Sequence, residues 1–142
     1  MSEPVRIGVV GGGLMGKELL ALTRRWDALV DHPVRPEVVA VADPAPAVQQ
    51  WWRGVGVPTV TDDYRRLLDD PLLDVLYLAV PHDLHERLYL DAVSAGKDFL
   101  GEKPFGIDLA AAERVVAAVE SSRCFVRVSS EFPFFPGAQR AI

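Results

Sequence analysis

A single cysteine, Cys124, stands among the 142 residues, so the chain can form no internal disulfide. Its place in the apolar run Cys124-Phe125-Val126 reads as a small buried hydrophobe and not as a nucleophile. Long hydrophobic runs are also missing. The longest, Val75 to Pro81 following Pro71-Leu72-Leu73, falls far short of the roughly 20 residues a bilayer span needs. The opening Met1-Ser2-Glu3-Pro4 has no basic n-region followed by an apolar h-region, and together these features predict a cytoplasmic protein without a membrane partner. Positive charge is scarce: 15 Lys and Arg against 20 Asp and Glu give a net charge of −5. The pairs Arg24-Arg25 and Arg65-Arg66 do not make the basic stripe that a nucleic-acid backbone requires, so no nucleic-acid partner is expected. No internal repeat or low-complexity tract is visible, and no metal site is expected.

What is present suits one globular core: 49% of residues are apolar and 25% charged. Short β-branched runs alternate with helical patterns, the order of a mainly parallel α/β sheet with helices on both faces. The strands are predicted at Val5 to Val10, Val38 to Ala42, Pro58 to Val60, Val75 to Val80, Asp98 to Leu100 and Cys124 to Val128. Helical spacing predicts helices over Lys17 to Val30, Pro46 to Arg53, Asp62 to Leu68, Leu84 to Ala95 and Leu109 to Ser121. Pro33 and Pro36 are expected to stop the first helix. Thr61 and Asp108 stand at N-cap positions, Asp62 and Asp63 favour the third helix start by charge, and Gly96 stands at a C-terminal cap. Trp51 and Trp52 read either as packing for their helix or as a partner surface.

The first strand breaks into Gly11-Gly12-Gly13-Leu14-Met15-Gly16 before the first helix. Strand, glycine turn and helix in that order form the Rossmann dinucleotide fingerprint. Gly11 allows the tight turn, Gly13 leaves room for a pyrophosphate, and Gly16 lets the helix approach the sheet. Leu14 and Met15 belong to the helix start whose free N–H groups and positive dipole end face an anion. The competing reading of such a cluster is a plain turn. The second strand ends in Val41-Ala42-Asp43, where a carboxylate accepts hydrogen bonds from an adenosine ribose. With no Arg or Lys beside it in sequence to receive a 2′-phosphate, Asp43 favours NAD over NADP. Asp43 before Pro44 also reads as a turn residue.

The fourth strand runs into Ala79-Val80-Pro81-His82-Asp83-Leu84-His85 and the fifth into Leu100-Gly101-Glu102-Lys103-Pro104. With the glycine turn, Asp43 and the Ala95-Gly96-Lys97 turn, these segments follow one another as they do in the Gfo/Idh/MocA (glucose-fructose oxidoreductase and inositol dehydrogenase) family. The chain resembles that family's amino-terminal nucleotide-binding domain over nearly its whole length. The resemblance implies NAD as cofactor, with contacts from Val80, Pro81, His82, His85 and Glu102 beside the glycine turn and Asp43. It also implies that Lys103 is catalytic, lying beside the nicotinamide and moving a proton at the substrate hydroxyl. His82 departs from the asparagine usual at its position, so the detail of that contact is open. His85 reads equally as a side chain held within the first turn of its helix.

The family resemblance further implies a substrate that is a sugar, a polyol or a related small molecule, and a carboxyl-terminal domain that binds it and often builds an oligomer. Residues 1–128 are expected to form the nucleotide domain. Residues 129–142, with the aromatic and proline stretch Phe132-Pro133-Phe134-Phe135, resemble the crossover toward that second domain. A truncated chain that binds cofactor without turnover is the expectation. The alternatives are a stand-alone domain whose tail is covered by a second copy, and a non-catalytic dinucleotide-binding sensor or interaction domain. An S-adenosylmethionine methyltransferase would give Glu102-Lys103-Pro104 no role.

Overall fold

The computed structural model describes residues 4–28, 33–130 and 136–141; Phe132 to Phe135 lie outside them. Six strands, β1 (Pro4–Val10), β2 (Arg35–Ala42), β3 (Thr59–Thr61), β4 (Val75–Leu78), β5 (Phe99–Gly101) and β6 (Val126–Val128), form one sheet. Its order is β3-β2-β1-β4-β5-β6, and every neighbouring pair is parallel. Parallel neighbours require crossovers, supplied by α1 (Leu14–Arg24), α2 (Pro46–Gly54), α3 (Arg65–Leu68), α4 (His85–Ser94) and α5 (Leu109–Glu120); α6 (Pro136–Ala141) follows β6.

Alternation along the strands divides the core in two. Ile7 and Val9 of β1, Val41 of β2 and Tyr77 of β4 pack with Leu20 of α1 and Trp52 of α2. Val10, Ala40, Ala42, Leu76 and Leu78 face the other way and pack with Leu67 of α3, Leu88, Tyr89 and Ala92 of α4, and Val115 of α5. Helices therefore cover both sheet faces, as the alternating sequence pattern predicted. Each large aliphatic or aromatic side chain buried this way contributes about 1.5–3 kcal/mol.

Several boundaries and caps differ from expectation. The first helix starts at Leu14 and ends at Arg24, followed by a 3₁₀ turn at Trp26–Ala28. It tightens there because Arg25 donates to Leu22 O and Ala28 to Arg25 O, so the prolines are not what stops it. Pro36 lies within β2 instead, opposite Val5, where β3 does not yet reach; β3 pairs only with Ala40 to Ala42. A residue without an N–H is tolerated where a strand has one neighbour. Thr61 does not cap α3: it ends β3, and its hydroxyl accepts from Asp63 N at 3.2 Å, while Asp63 Oδ1 accepts from Arg65 N at 3.0 Å. Asp108 does cap α5, accepting from Ala111 N at 2.7 Å. Gly96, at φ +70°, closes α4 as its carbonyls require, with Gly96 N donating to Val93 O and Lys97 N to Ala92 O. Cys124 is half-buried, not buried, with Sγ 3.7 Å from Val93 O.

Candidate functional site

The sheet reverses its order between β1 and β4, and the carboxyl ends of these strands meet where open α/β sheets bind ligands. Gly11 N donates to Ala42 O and Ala79 N to Val10 O, which ties the turn after β1 to both neighbouring strands. Gly11 has φ +92°, and a Cβ there would lie 2.2 Å from Ala79 O. A Cβ on Gly16 would lie 2.6 Å from Gly11 O and 3.1 Å from Val9 Cγ1, so the first turn of α1 sits against the strand. Gly13 is different, because a Cβ there would meet nothing within 4 Å. Lys17 N donates to Gly13 O as the first bond of α1. The N–H groups of Leu14, Met15 and Gly16 therefore precede any intrahelical acceptor, and Leu14 and Met15 are exposed.

Trp52 supports this turn from α2. Its indole is wholly buried, and Nε1 donates to Gly12 O at 2.7 Å across 40 residues of sequence. A Cβ on Gly12 would fall 2.4 Å from that nitrogen. Trp51, in contrast, is exposed and carries the Lys17 ammonium 4.4 Å from its ring centroid. The two tryptophans thus divide the readings left open by the sequence: Trp52 packs, and Trp51 faces outward.

Asp43 does two things. Oδ2 accepts from Gly12 N at 2.9 Å, and Oδ1 accepts from Ala45 N at 2.9 Å. It is a turn residue that also steadies the glycine turn, and each oxygen keeps a second lone pair for a ligand. Asp43 lines a cavity of about 450 Å³ with Gly11, Val80 and Pro81, walled further by Tyr64 and Arg87. Four of the site residues expected from sequence thus share one cavity. Val80 and Pro81 lie in the turn beyond β4, which ends at Leu78 and not at Val80.

The Glu102-Lys103-Pro104 segment leaves β5 beside β4, with Glu102 N donating to Leu78 O at 3.0 Å. Glu102 is buried; Oε1 accepts from the Tyr77 hydroxyl, and Oε2 accepts from Lys103 N at 3.2 Å. Burial pushes the Tyr77 phenol well above its ordinary range, with the Glu102 carboxylate adding to it. Burial does the same to Tyr89, again with Glu102 adding. Tyr89 Oη donates to Glu102 O at 2.8 Å. With Met15, Glu102 and Tyr77 also line a second, larger cavity of about 970 Å³.

His85 opens α4 and is wholly buried. Its Nδ1 lies 2.7 Å from Pro104 O and its Nε2 3.0 Å from Val80 O. His82 sits in a 3₁₀ turn just before it, exposed, with its ring edge-on to His85 at 5.3 Å. Lys103 is exposed and lines neither cavity. Tyr64, Arg87, Tyr77, Tyr89 and Trp52 were not singled out from sequence as site residues. Their partners stand too far away along the chain for any local pattern to announce them.

These residues fit a dinucleotide. The open space over Gly13 at the free N–H groups of the first helical turn suits an anion, and the cavity beside Asp43, which Gly11 also lines, suits a nucleoside. Among the described residues no helix is long and apolar enough to cross a membrane.

Residues 5–130 match the family model described as an oxidoreductase family with an NAD-binding Rossmann fold, GFO_IDH_MocA. The chain is 37% identical over 107 residues to levoglucosan dehydrogenase of Pseudarthrobacter phenanthrenivorans, covering 72% of this chain and 27% of that one. An NAD-binding oxidoreductase of Klebsiella pneumoniae superposes with a TM-score of 0.87 at 28% identity, covering 97% of this chain and 37% of that one. A levoglucosan dehydrogenase in complex with NADH superposes at 0.81 with 26% identity, covering 92% and 35%. The chain thus spans well under half the length of each of these proteins.

Proposed function

We propose, from the premise that this chain belongs to the Gfo/Idh/MocA oxidoreductases as their NAD-binding Rossmann domain, that it holds NAD(H) for hydride transfer at a hydroxyl-bearing carbon of a sugar, a polyol or a related small molecule. The observation that carries the reading is the glycine turn. Three of its glycines have protein against them where a side chain would go, and one, Gly13, faces open space at the free end of α1.

Gly13 and the N–H groups of Leu14, Met15 and Gly16 receive the pyrophosphate. Asp43 accepts from the adenosine ribose, and its charge repels a 2′-phosphate, which favours NAD over NADP. Val80 and Pro81 wall the same cavity, and Glu102 and His82 are the remaining cofactor contacts of this reading; His85, expected among them, is wholly buried with both ring nitrogens at backbone carbonyls, which favours its other reading as a side chain held within the fold. When bound, NAD supplies a two-electron hydride acceptor. Lys103, carried on the turn that Glu102 anchors, takes the hydroxyl proton as the hydride leaves the carbon. That step needs Lys103 as the free amine.

The thermal midpoint with rising NAD and then NADP tests the binding half. A ligand specific to the folded state adds about 2.7 kcal/mol at a hundredfold excess over Kd. A rise with NAD exceeding that with NADP is expected, and no rise with either overturns the reading. Asp43→Asn keeps an oxygen for Gly12 N and removes the charge, so it should narrow the gap between the two nucleotides.

A further inference from the structure

The ring of His85 faces acceptors on both nitrogens. Pro104 O lies 2.7 Å from Nδ1 and Val80 O 3.0 Å from Nε2. A backbone carbonyl can only accept a hydrogen bond. The third group in reach, Tyr89 Oη, is 3.2 Å from Nδ1. It directs its one hydrogen to Glu102 O at 2.8 Å, so it too offers His85 a lone pair. A neutral imidazole carries one N–H and would hold one carbonyl while turning a lone pair against the other. An imidazolium satisfies both.

We infer that His85 is a protonated clamp joining the turn after β4 to the turn that carries Lys103. Its two carbonyl partners belong to the turns that leave two adjacent strands on one side of the switch point, Val80 after β4 and Pro104, the neighbour of Lys103, after β5. Loss of the proton releases one of these bonds and frees one turn from the other. His85 is thus a positioning residue for Lys103, acting through the Pro104 carbonyl; this role in the reaction rests on the reading of Lys103 given above, whereas the clamp itself does not.

The surroundings set opposing demands. Burial and the positive end of α4, where His85 stands, disfavour the cation, while the two carbonyls and the Tyr89 oxygen favour it. The His82 ring is edge-on at 5.3 Å and the Tyr89 ring lies at 5.0 Å. The Glu102 carboxylate is engaged by Tyr77 and by Lys103 N, and the Glu86 carboxylate by Arg114. Among the described residues no acidic side chain hydrogen-bonds the ring, so the clamp holds its proton through the two carbonyls and the Tyr89 oxygen.

Nitrogen-15 spectra of the histidine rings in this chain, recorded without dinucleotide across neutral and alkaline pH, test the clamp. His82→Gln removes the neighbouring ring's signals. The expected result is that both His85 nitrogens carry hydrogen at neutral pH, and that the backbone amides of Lys103 and Phe105 shift in step as the ring loses a proton. A folded protein in which His85 has a single N–H throughout overturns the clamp. A doubly protonated ring whose titration leaves those amides unmoved overturns the positioning role. If the clamp is observed but NAD fails to raise the thermal midpoint, it is the dinucleotide reading that fails.

Discussion

Gly11 and Gly13 stand two residues apart and owe their identity to different neighbours. At Gly11 the neighbour is protein: the backbone has φ +92°, and a Cβ would strike Ala79 O. Gly11→Ala should lower stability by at least the roughly 1–3 kcal/mol that strained backbone costs, read as a drop in the denaturation midpoint without any ligand. At Gly13 the neighbour is empty space, so Gly13→Val should leave that midpoint nearly unchanged and weaken NAD binding by tenfold or more, about 1.4 kcal/mol, by calorimetric titration. If Gly13→Val instead unfolds the protein, the assignment of open space to a ligand is lost. Trp52→Phe would leave the buried Gly12 carbonyl without its indole donor, and an unmade bond of this kind costs about 1–3 kcal/mol. The glycine turn was legible in sequence because its signal lies within six consecutive residues. Its support was not: Trp52 and Gly12 meet across 40 residues, and the sequence could only offer Trp52 as one of two adjacent tryptophans. The dual bonding of Asp43 was hidden in the same way, since only its local turn to Ala45 could be read.

The ends of helices show why element boundaries are harder to read than elements. Asp108 was recognised as a cap because its oxygen and the N–H it serves are three residues apart, a purely local relation. Asp108→Ala should destabilise the protein by about 1 kcal/mol, measured by chemical denaturation. At α3, Thr61 was expected as the cap, but it is committed to β3, whose backbone pairs with Ala42, and the helix instead starts after Tyr64 with Asp63 Oδ1 accepting from Arg65 N. The early end of α1 at Arg24 likewise comes from tightening of its last turn, which hydrophobic spacing does not record. The type and order of all six strands were read from β-branched runs. Their lengths were not, because pairing with a neighbour decides where a strand ends.

Among the described residues, a cluster of buried polar side chains stands at the seam where β4, β5 and α4 meet. Tyr77, Tyr89 and Glu102 lie there together. Both phenols are held above their ordinary value of 10.0 by burial first and by Glu102 second. The folded chain therefore keeps protons that the unfolded chain sheds, so this contribution to stability is complete below about pH 10 and is lost as pH rises beyond it. The thermal midpoint should fall through that alkaline range, and Tyr77→Phe should flatten the fall. An unchanged slope would mean that the phenol is not the group responsible. The family and the fold were legible because the glycine turn, Asp43 and the Glu102-Lys103-Pro104 turn stand in one order along the sequence. That they converge around a buried histidine was not, because His85 reaches its partners only after β4 and β5 have been laid side by side. The strand order bears on synthesis as well. A nascent chain can pair β1 with β2, and β2 with β3, as they emerge, but the other edge of β1 has no partner until β4 follows, more than sixty residues after β1 began. During that interval the half-built sheet exposes an apolar strand edge, a template for pairing with other chains.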